Sequence, residues 1–316
     1  MVGGNKNMSK ENTAVTKKKI KRCKEDVVFD AACFIILTLV LFVVAYPLYW
    51  VIISSISAPS AVSSGKVLLH PIGFTLKGYA EVFKNDQVMR GFLNSLIITF
   101  CGVMVNLIVT LPTSYALSRS NFSGKKPITI FYLITMFFGG GLIPTYLVIQ
   151  RLQMLNTIWA LILPGCLSVY NMIVARTFFK SNISEELYEA AEIDGCTQAR
   201  FFFQIALPLS KAIIAILVLY YGVGHWNSYF SALVYISDKA KYPLQLVLRN
   251  ILITNQTVLS QTATTAAARA ALQEKQQLID VMKYSLIIIS SIPVLVMYPL
   301  VQKHFVKGVM IGSMKG

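Results

Sequence analysis

The chain has 316 residues, of which 55% are hydrophobic and only 14% are charged, and its mean hydropathy is +0.61. Soluble globular domains carry about 25% charged residues, so these values exclude an ordinary soluble domain and indicate a membrane protein. The formal net charge is +15, but much of it lies in short segments that flank apolar runs. That pattern is typical of membrane topology and argues against nucleic acid as a partner.

Apolar runs between residues 27 and 305 predict about six membrane-crossing helices of about 20 residues each. They lie at about 28–56, 92–117, 128–149, 158–179, 208–225 and 282–301. Pro208 is compatible with the start of the fifth span, because the first turn of a helix needs no backbone donor there. The predicted fold is therefore an all-α, polytopic membrane domain between a basic N-terminal tail (1–26) and a short C-terminal tail (306–316).

The distribution of lysine and arginine predicts the orientation. A basic run at 6–24 precedes the first span, another lies at 119–126 between the second and third spans, and Lys303 and Lys307 follow the sixth. The positive-inside rule therefore predicts that both termini are cytoplasmic. The first apolar run is too long for a signal peptide and no small-residue cleavage site follows a short core, so we expect it to stay uncleaved.

The third span contains the run Gly139-Gly140-Gly141 followed by Pro144. Two interpretations of this run remain open from the sequence. The glycines either break the helix or let neighbouring helices pack closely.

An acidic, amphipathic segment, residues 182–207, lies between the fourth and fifth spans. The spacing of Ile183, Leu187, Ala190 and Ala191 predicts a short helix with one small apolar face. The opposite face carries carboxylates, and these are Glu185, Glu186, Glu189 and Glu192.

The same segment contains signals for a sharp corner. The pair Asp194-Gly195 is expected to end the first helix, because glycine adopts the left-handed conformation of a helix C-cap without steric cost. Thr197 can then cap a second helix by accepting a backbone hydrogen bond. The sequence thus predicts two short helices that meet at Gly195.

Motifs of competing functions are missing from the sequence. The stretch Gly124-Lys125-Lys126 lacks the earlier glycine and the hydroxyl residue of a phosphate-binding loop, so ATP would be handled by another chain. His70, His225 and His304 are far apart and have no metal-ligand spacing, so no metal site is expected. Each histidine is interpreted as a polar tip near the membrane interface.

The triplet Glu189-Ala190-Ala191, the pair Asp194-Gly195, the aromatic cluster 201–203 and Leu207-Pro208 together resemble the EAA loop of permease subunits of bacterial ABC importers. The alternative is an ordinary cytoplasmic connector with a solvated acidic face. One departure is Ser184, where many relatives carry proline. Serine starts a helix equally well.

The resemblance extends over nearly all of the chain after the N-terminal tail. The stretches 94–96, 112–119 and 159–164 and the C-terminal tail are similar to carbohydrate permeases of the maltose-type MalG-like family. The stretches 137–145 and 306–313 are similar to its LplC/YtcP-like subgroup. The resemblance implies the transmembrane domain of a type I ABC importer that works by alternating access in the bacterial cell membrane.

Such a subunit is not itself an enzyme and needs no cofactor of its own. The resemblance implies a second, homologous permease, two ATPase subunits that bind ATP and magnesium, an extracellular solute-binding protein, and a carbohydrate substrate, with an oligosaccharide preferred. It also implies that the EAA loop, residues 182–207, contacts the ATPase. The residues expected to couple the two subunits are Glu189, Ala190, Ala191, Asp194, Gly195, Phe201 and Pro208.

Two further segments have expected contacts. The outer interval 227–280 is too long for a tight connector and contains an alanine-rich helical stretch, 266–278. The resemblance places Arg269, Glu274 and Lys275 near the binding protein, and the alternative is a lid helix on the membrane or the partner. The tail 307–316 either reaches between the ATPases or is a frayed basic terminus.

The substrate path is predicted from residue chemistry. Aromatic faces stack on sugar rings, and amides and hydroxyls hydrogen-bond their rims. The candidates are Tyr132, Tyr170, Asn171, Trp226, Asn227 and Tyr229. Trp226 and Tyr229 can also be interfacial anchors, and the chain can line the route without binding sugar.

An ion-gradient-driven secondary transporter is the main alternative function. The spans lack the buried carboxylates expected for ion coupling, since Asp30 lies at the edge of the first span and the other acids cluster in loops. An exporter permease or a membrane scaffold is a third hypothesis, and the EAA loop argues for import.

Overall fold

The computed structural model describes the backbone of residues 24–258 and 266–313, and the side chains of 24–253, 276–299, 301 and 302. These residues are mostly helical and contain no β-strand, which confirms the predicted all-α fold. The described residues fall into two units, which are divided between Tyr49 and Trp50. The described part of the first unit is a single helix that starts at Lys24.

The helices are numbered in chain order, and short connections separate most of them. A π-helical turn, Phe202–Ala206, joins α10 to α11, and a 3₁₀ turn, Leu163–Gly165, follows α7. The α-helices of the described residues are α1 (Lys24–Ser55), α2 (Pro59–Ser63), α3 (Lys77–Lys84), α4 (Asp86–Ser118), α5 (Lys125–Phe137), α6 (Leu142–Arg151), α7 (Trp159–Ile162), α8 (Val169–Asn182), α9 (Glu185–Ile193), α10 (Gln198–Phe201), α11 (Leu207–Leu209), α12 (Lys211–Trp226), α13 (Phe230–Tyr235), α14 (Leu244–Val258) and α15 (Ala266–Ser313).

Three of these helical stretches are long and apolar enough to cross a membrane on their own: α1, α4 and residues Gln276–Pro299 of α15. Three further candidate spans are pairs of helical stretches that meet at a bend. The bend is 113° between α5 and α6, 52° between Trp159–Gly165 and α8, and 80° between Gln198–Leu209 and α12. The described residues therefore allow up to six crossings, and three of the six are broken.

The bend between α5 and α6 lies at the glycine run. Gly141 has φ +87°, a conformation that other residues rarely adopt. A Cβ added at Gly139 or Gly141 would meet no atom within 4 Å. Of the two interpretations of this run, the structure therefore favours the helix break over close helix packing.

The other two bends have different local causes. After Pro164 in the 3₁₀ turn, Ser168 starts α8 by accepting a hydrogen bond of 3.4 Å from the backbone nitrogen of Asn171. At the fifth span, the helix α12 begins only at Lys211, and Pro208 lies before the bend in α11. Pro208 therefore lies in the first turn of α11, before the bend, rather than in the first turn of α12.

Helix α4 is central to the packing of the second unit, because it contacts α8, α12 and α14, and α15 packs against α3, α12 and α14. Buried hydroxyls on α4 fix its neighbours. Ser95 Oγ accepts a hydrogen bond of 2.8 Å from the backbone of Leu244, and Ser114 Oγ donates one of 3.0 Å to the carbonyl of Met172. Because each bond satisfies a buried polar group, these contacts specify how the helices meet.

Candidate functional site

The segment that resembles an EAA loop folds as two capped helices around a glycine corner. Ser184 Oγ accepts a hydrogen bond from the backbone of Leu187 at 3.3 Å and so caps α9. Gly195 has φ +76°, as the predicted corner requires. Thr197 Oγ1 accepts from the backbone of Arg200 at 3.4 Å and starts α10. The predicted helix, glycine stop and second cap are all confirmed as local structure.

The corner is closed by two backbone hydrogen bonds. The nitrogen of Cys196 donates to the carbonyl of Ala191 at 2.9 Å, and the nitrogen of Gly195 donates to that of Glu192 at 3.0 Å. This pair is a Schellman motif, which satisfies carbonyls at the helix end and depends on the left-handed residue. The direction in which the chain leaves α9 is therefore fixed by the backbone.

The predicted apolar face of α9 is only partly buried. Ile183 is buried, whereas Leu187 and Ala190 are exposed and Ile193 is 87% exposed. Tyr188, which the pattern did not single out, is the side chain that anchors the helix: it is buried, and its ring meets Phe201 edge to face at 5.3 Å. The remaining apolar surface of α9 faces away from the described residues.

Arg119, at the end of α4, joins this loop to the second span. Its guanidinium lies over the ring of Tyr188, 4.0 Å from the centroid. Its Nη2 lies 2.7 Å from Glu185 Oε2, so the guanidinium and the carboxylate form a close ion pair. The angle between them does not meet the geometry of a hydrogen bond. Glu185 Oε1 also accepts from the backbone nitrogen of Ser120 at 3.2 Å. The helix α9 is thus fixed to the end of α4.

The sequence-predicted coupling residues occupy different places. Glu189, Ala190, Asp194 and Gly195 are exposed on α9 and at its corner, and Ala191 is half-buried. Phe201 is fully buried among the aromatic rings of Tyr115 and Tyr188, and Pro208 is exposed. In this structure Phe201 therefore holds the loop to the membrane helices rather than forming part of its surface.

A pocket of about 500 Å³ lies at the break between α7 and α8. Its polar lining includes Ser168, Asn171, Tyr220, His225 and Ser228. Of the six residues predicted to line a substrate path, only Asn171 is among the residues that line it. Asn171 is 6% exposed and lies in the first turn of α8.

The other five predicted path residues lie elsewhere. Tyr132 is half-buried on α5, and Tyr170, Asn227 and Tyr229 are exposed. Trp226 is 2% exposed, and its indole nitrogen donates a hydrogen bond of 2.8 Å to the carbonyl of Ser290. Since this bond satisfies its single donor, Trp226 is a core residue of the α12–α15 contact.

Hydrogen bonds from neighbouring helices fix the wall of this pocket. Asn106 Nδ2 donates to the carbonyls of Gly165 and Cys166 at 2.8 and 2.9 Å. His225 Nε2 lies 2.7 Å from Asn106 Oδ1. The amide nitrogen of Asn106 donates both bonds to the carbonyls, so the amide oxygen, Oδ1, is the atom that faces His225. Because Oδ1 can only accept a hydrogen bond, Nε2 of His225 carries the hydrogen.

The interpretation of His225 as a polar tip at the membrane interface is wrong, because its ring bonds to the fully buried Asn106. Residue spacing could not reveal this pair, since 119 positions separate its members. Among the described residues, no group of three or more potential ligands could hold a metal ion. His70 is exposed, and the side chain of His304 lies outside the described residues.

Gly102 makes room for the ring of His225, so we expect Gly102→Ala to destabilise the protein. An added Cβ would lie 2.5 Å from Nε2, which forces the ring away from Asn106. Overpacking of this kind costs about 1–3 kcal/mol. Thermal unfolding in detergent measures the effect. The matched control is Gly224→Ala on α12, where an added Cβ meets nothing within 4 Å. An equal melting temperature for G102A and wild type would contradict the packing.

At the opposite end of α4, side-chain hydrogen bonds hold part of the interval 227–280. Asn94 Nδ2 donates to the carbonyls of Ala240 and Tyr242 at 2.8 and 3.1 Å. The interval 227–280 contains α13, α14 and the start of α15, and the predicted alanine-rich helix is part of α15. The side chains of Arg269, Glu274 and Lys275 lie outside the described residues, as does the end of the C-terminal tail.

Comparison with known proteins gives the same family over nearly the whole chain, although no model of a protein family matches it. The chain is 39% identical over 290 residues to the protein LplC of Bacillus subtilis, which covers 92% of this chain and 95% of LplC. It is 36% identical over 288 residues to the polygalacturonan/rhamnogalacturonan transport system permease protein YtcP of the same species, with 91% and 98% covered.

A solved structure supports the same assignment. The chain superposes with a TM-score of 0.80 and 27% identity on a chain of a bacterial ABC transporter involved in the import of the acidic polysaccharide alginate. The match covers 90% of this chain and 99% of that one. This chain therefore belongs to the family of transmembrane permease subunits of bacterial ABC importers that includes YtcP and LplC.

Proposed function

We propose that this chain is the permease subunit of an ATP-driven carbohydrate importer, with an oligosaccharide as substrate. The observation that carries the proposal is the similarity, over more than 90% of the chain, to permeases such as YtcP, which is named for polygalacturonan and rhamnogalacturonan transport. The galactooligosaccharides transport system permease protein GanQ of Bacillus subtilis, 30% identical over 293 residues, supports the same substrate class. The subunit forms half of the translocation path and works by alternating access.

The exposed surface of α9 is the proposed contact with the ATPase. It combines apolar side chains, Leu187 and Ile193, with the carboxylates of Glu189 and Asp194, which have no ion pair among the described residues. An exposed apolar patch rimmed by charge is typical of a protein interface. We propose that a cleft of the ATPase covers Ala190 and Ile193, while basic groups on its rim pair with Glu189 and Asp194.

Motion of the ATPase would then reach the membrane helices through side-chain contacts within this subunit. Tyr188 and Phe201 join α9 and α10 to one aromatic cluster, and Arg119 joins α9 to α4. Because these contacts are packed and short, the loop and the end of α4 would move as one body. The proposed partners are a homologous permease, two ATPases that bind ATP and magnesium, and an extracellular solute-binding protein.

The proposed orientation, with both termini and the EAA loop in the cytoplasm, predicts a labelling pattern. In intact cells, a membrane-impermeant thiol reagent is expected to leave T197C unlabelled until the membrane is permeabilised, since Thr197 is exposed but on the inner side. The control variant S64C, in the exposed connection after the first span, is expected to react at once. Labelling of T197C alone in intact cells would require the inverted topology.

The importer function is tested by purifying this chain, through a tag, from cells that also express its genomic neighbours. Copurification of a second permease and an ATPase is expected, with ATP hydrolysis that rises when a saccharide-loaded binding protein is added. A lone chain that transports along an ion gradient without ATP hydrolysis would contradict the proposal and favour a secondary transporter.

A further inference from the structure

We propose that the pocket at the break between α7 and α8 is a saccharide subsite of this subunit, and that it takes an uncharged sugar ring rather than a uronic acid. The proposal rests on the importer function proposed above. It deepens that function, because it names where this chain contacts the substrate and which substrate chemistry the contact selects. The alternative is a subunit that lines the route without binding sugar.

The side chain of Asn171 is the observation that points to a ligand. The residue is 94% buried and lines the pocket, but its side-chain amide makes no hydrogen bond to any described residue. Its backbone nitrogen donates a hydrogen bond to Ser168 Oγ, which leaves the side chain free to point elsewhere. The amide is open to the pocket, so its donor and its acceptor are available to a ligand. A hydroxyl group of a bound sugar would supply both the donor and the acceptor that the amide lacks.

The pocket is formed before any ligand arrives. Asn106 holds the carbonyls at the helix break, and His225 holds Asn106. The hydroxyl of Tyr221 lies 2.7 Å from Thr110 Oγ1 and accepts a hydrogen bond of 3.3 Å from the backbone nitrogen of Ser168. These bonds tie α4, α12 and the start of α8 together. A wall fixed in this way lowers the entropy that binding would cost.

Several groups in the pocket remain available to a sugar. The hydroxyls of Ser228 and Ser231 make no hydrogen bond within the described part of the chain. The ring of Tyr220 is 44% exposed and can stack on the apolar face of a pyranose. Hydroxyls, an amide and an aromatic ring in about 500 Å³ match the size and polarity of a small-molecule site.

The charge of the lining decides which sugars fit. Among the described residues that line the pocket there is no lysine, arginine, aspartate or glutamate. A carboxylate placed against this lining would exchange part of its water for uncharged groups and would gain no lysine or arginine as a partner, which disfavours it. An uncharged ring loses only hydroxyl hydration, and Asn171, Ser228 and Ser231 can replace those bonds. The subsite therefore discriminates against uronic acids, whatever units the rest of the path accepts.

Thiol protection in the assembled importer tests the subsite directly. The complex is purified with its permease, ATPase and binding-protein partners, and import is measured for neutral trisaccharides of galactose, glucose and xylose and for a galacturonic acid trisaccharide. Labelling of N171C by a thiol reagent is then followed with and without each sugar, with wild type as background for the native cysteines. The control T177C lies on the same helix at an exposed position outside the pocket.

We expect an imported neutral trisaccharide to slow labelling of N171C at least about threefold and to leave T177C unaffected. We also expect N171A to reduce subsaturating uptake of that sugar about tenfold, the effect of one hydrogen bond. Adding a cation with S231K should raise protection by the galacturonic acid trisaccharide. This gain cannot result from misfolding.

Three results would overturn the inference. The first is that a neutral trisaccharide is imported but does not slow the labelling of N171C, and that N171A takes it up as fast as wild type. This result would mean that the subunit only lines the route. Import and protection by the galacturonic acid trisaccharide alone would refute the charge argument. Both outcomes leave the importer function intact. A complex that imports no saccharide and hydrolyses no ATP would refute the proposed function itself, and the subsite with it.

Discussion

Replacing Gly195 by valine is expected to reduce saccharide-stimulated ATP hydrolysis of the assembled importer at least about tenfold, which corresponds to about 1.4 kcal/mol. Gly195 has φ +76°, and a left-handed conformation costs a residue with a Cβ about 1–2 kcal/mol. A β-branched residue is the least tolerant of this conformation. Because the corner is exposed, the strain is relieved most easily by opening the Schellman hydrogen bonds, which changes the direction of α9.

The matched control is Gly195→Asn. Asparagine visits the left-handed region far more readily than valine, so G195N is expected to keep most of the stimulated activity. An added Cβ meets nothing within 4 Å at this position, so the Cβ that both variants add finds open space and the comparison tests the backbone conformation. Stimulated hydrolysis in G195V equal to that in wild type would show that the corner does not set the coupling geometry.

Arg119→Ala is expected to uncouple the loop from the membrane helices. The side chain of Arg119 is only 12% exposed, and its guanidinium stacks on Tyr188 and pairs with Glu185, so its removal separates α9 from the end of α4. A desolvated cation–π contact is worth about 2 kcal/mol. We expect a lower melting temperature in detergent and an ATPase activity that no longer responds to a saccharide-loaded binding protein.

Two variants separate this role from a general effect of charge. Lysine in R119K keeps the ion pair with Glu185 but cannot stack as a flat guanidinium, so it is expected to restore only part of the coupling. Arg200→Ala removes an exposed arginine from the same loop and should change neither the melting temperature nor the response of the ATPase activity to the binding protein.

A double-mutant cycle of R119A with Tyr188→Leu should give a coupling energy of about 1–2 kcal/mol. Additive effects would contradict the stacking contact.

The sequence alone was sufficient for the features that depend on local order. Runs of about 20 apolar residues predict membrane helices, because a helix of that length matches the hydrocarbon core. The motif from Ser184 to Thr197 predicts two caps and a glycine corner, because caps are formed by residues close in the chain. The structure contains both caps and the corner, as well as the all-α fold.

The tertiary structure decided which faces of these helices are used. Tyr188, rather than the alanine face of α9, is the buried anchor, because Arg119 and Phe201 meet there from other parts of the chain. Spacing within one helix cannot predict such partners. For the same reason, Trp226, predicted as a path residue, lies in the core, while Asn171 lies in a pocket.

The pocket depends on contacts between residues far apart in the sequence. Asn106 and His225 are 119 positions apart, and each is unremarkable in its own apolar run. Their hydrogen bond becomes visible only when α4 and α12 are packed together, with Gly102 leaving space for the ring. Sequence therefore determined the class of protein, its helices and the glycine corner at Gly195. Packing decided where polar groups converge, because buried hydrogen bonds are satisfied by neighbours in space rather than in the chain.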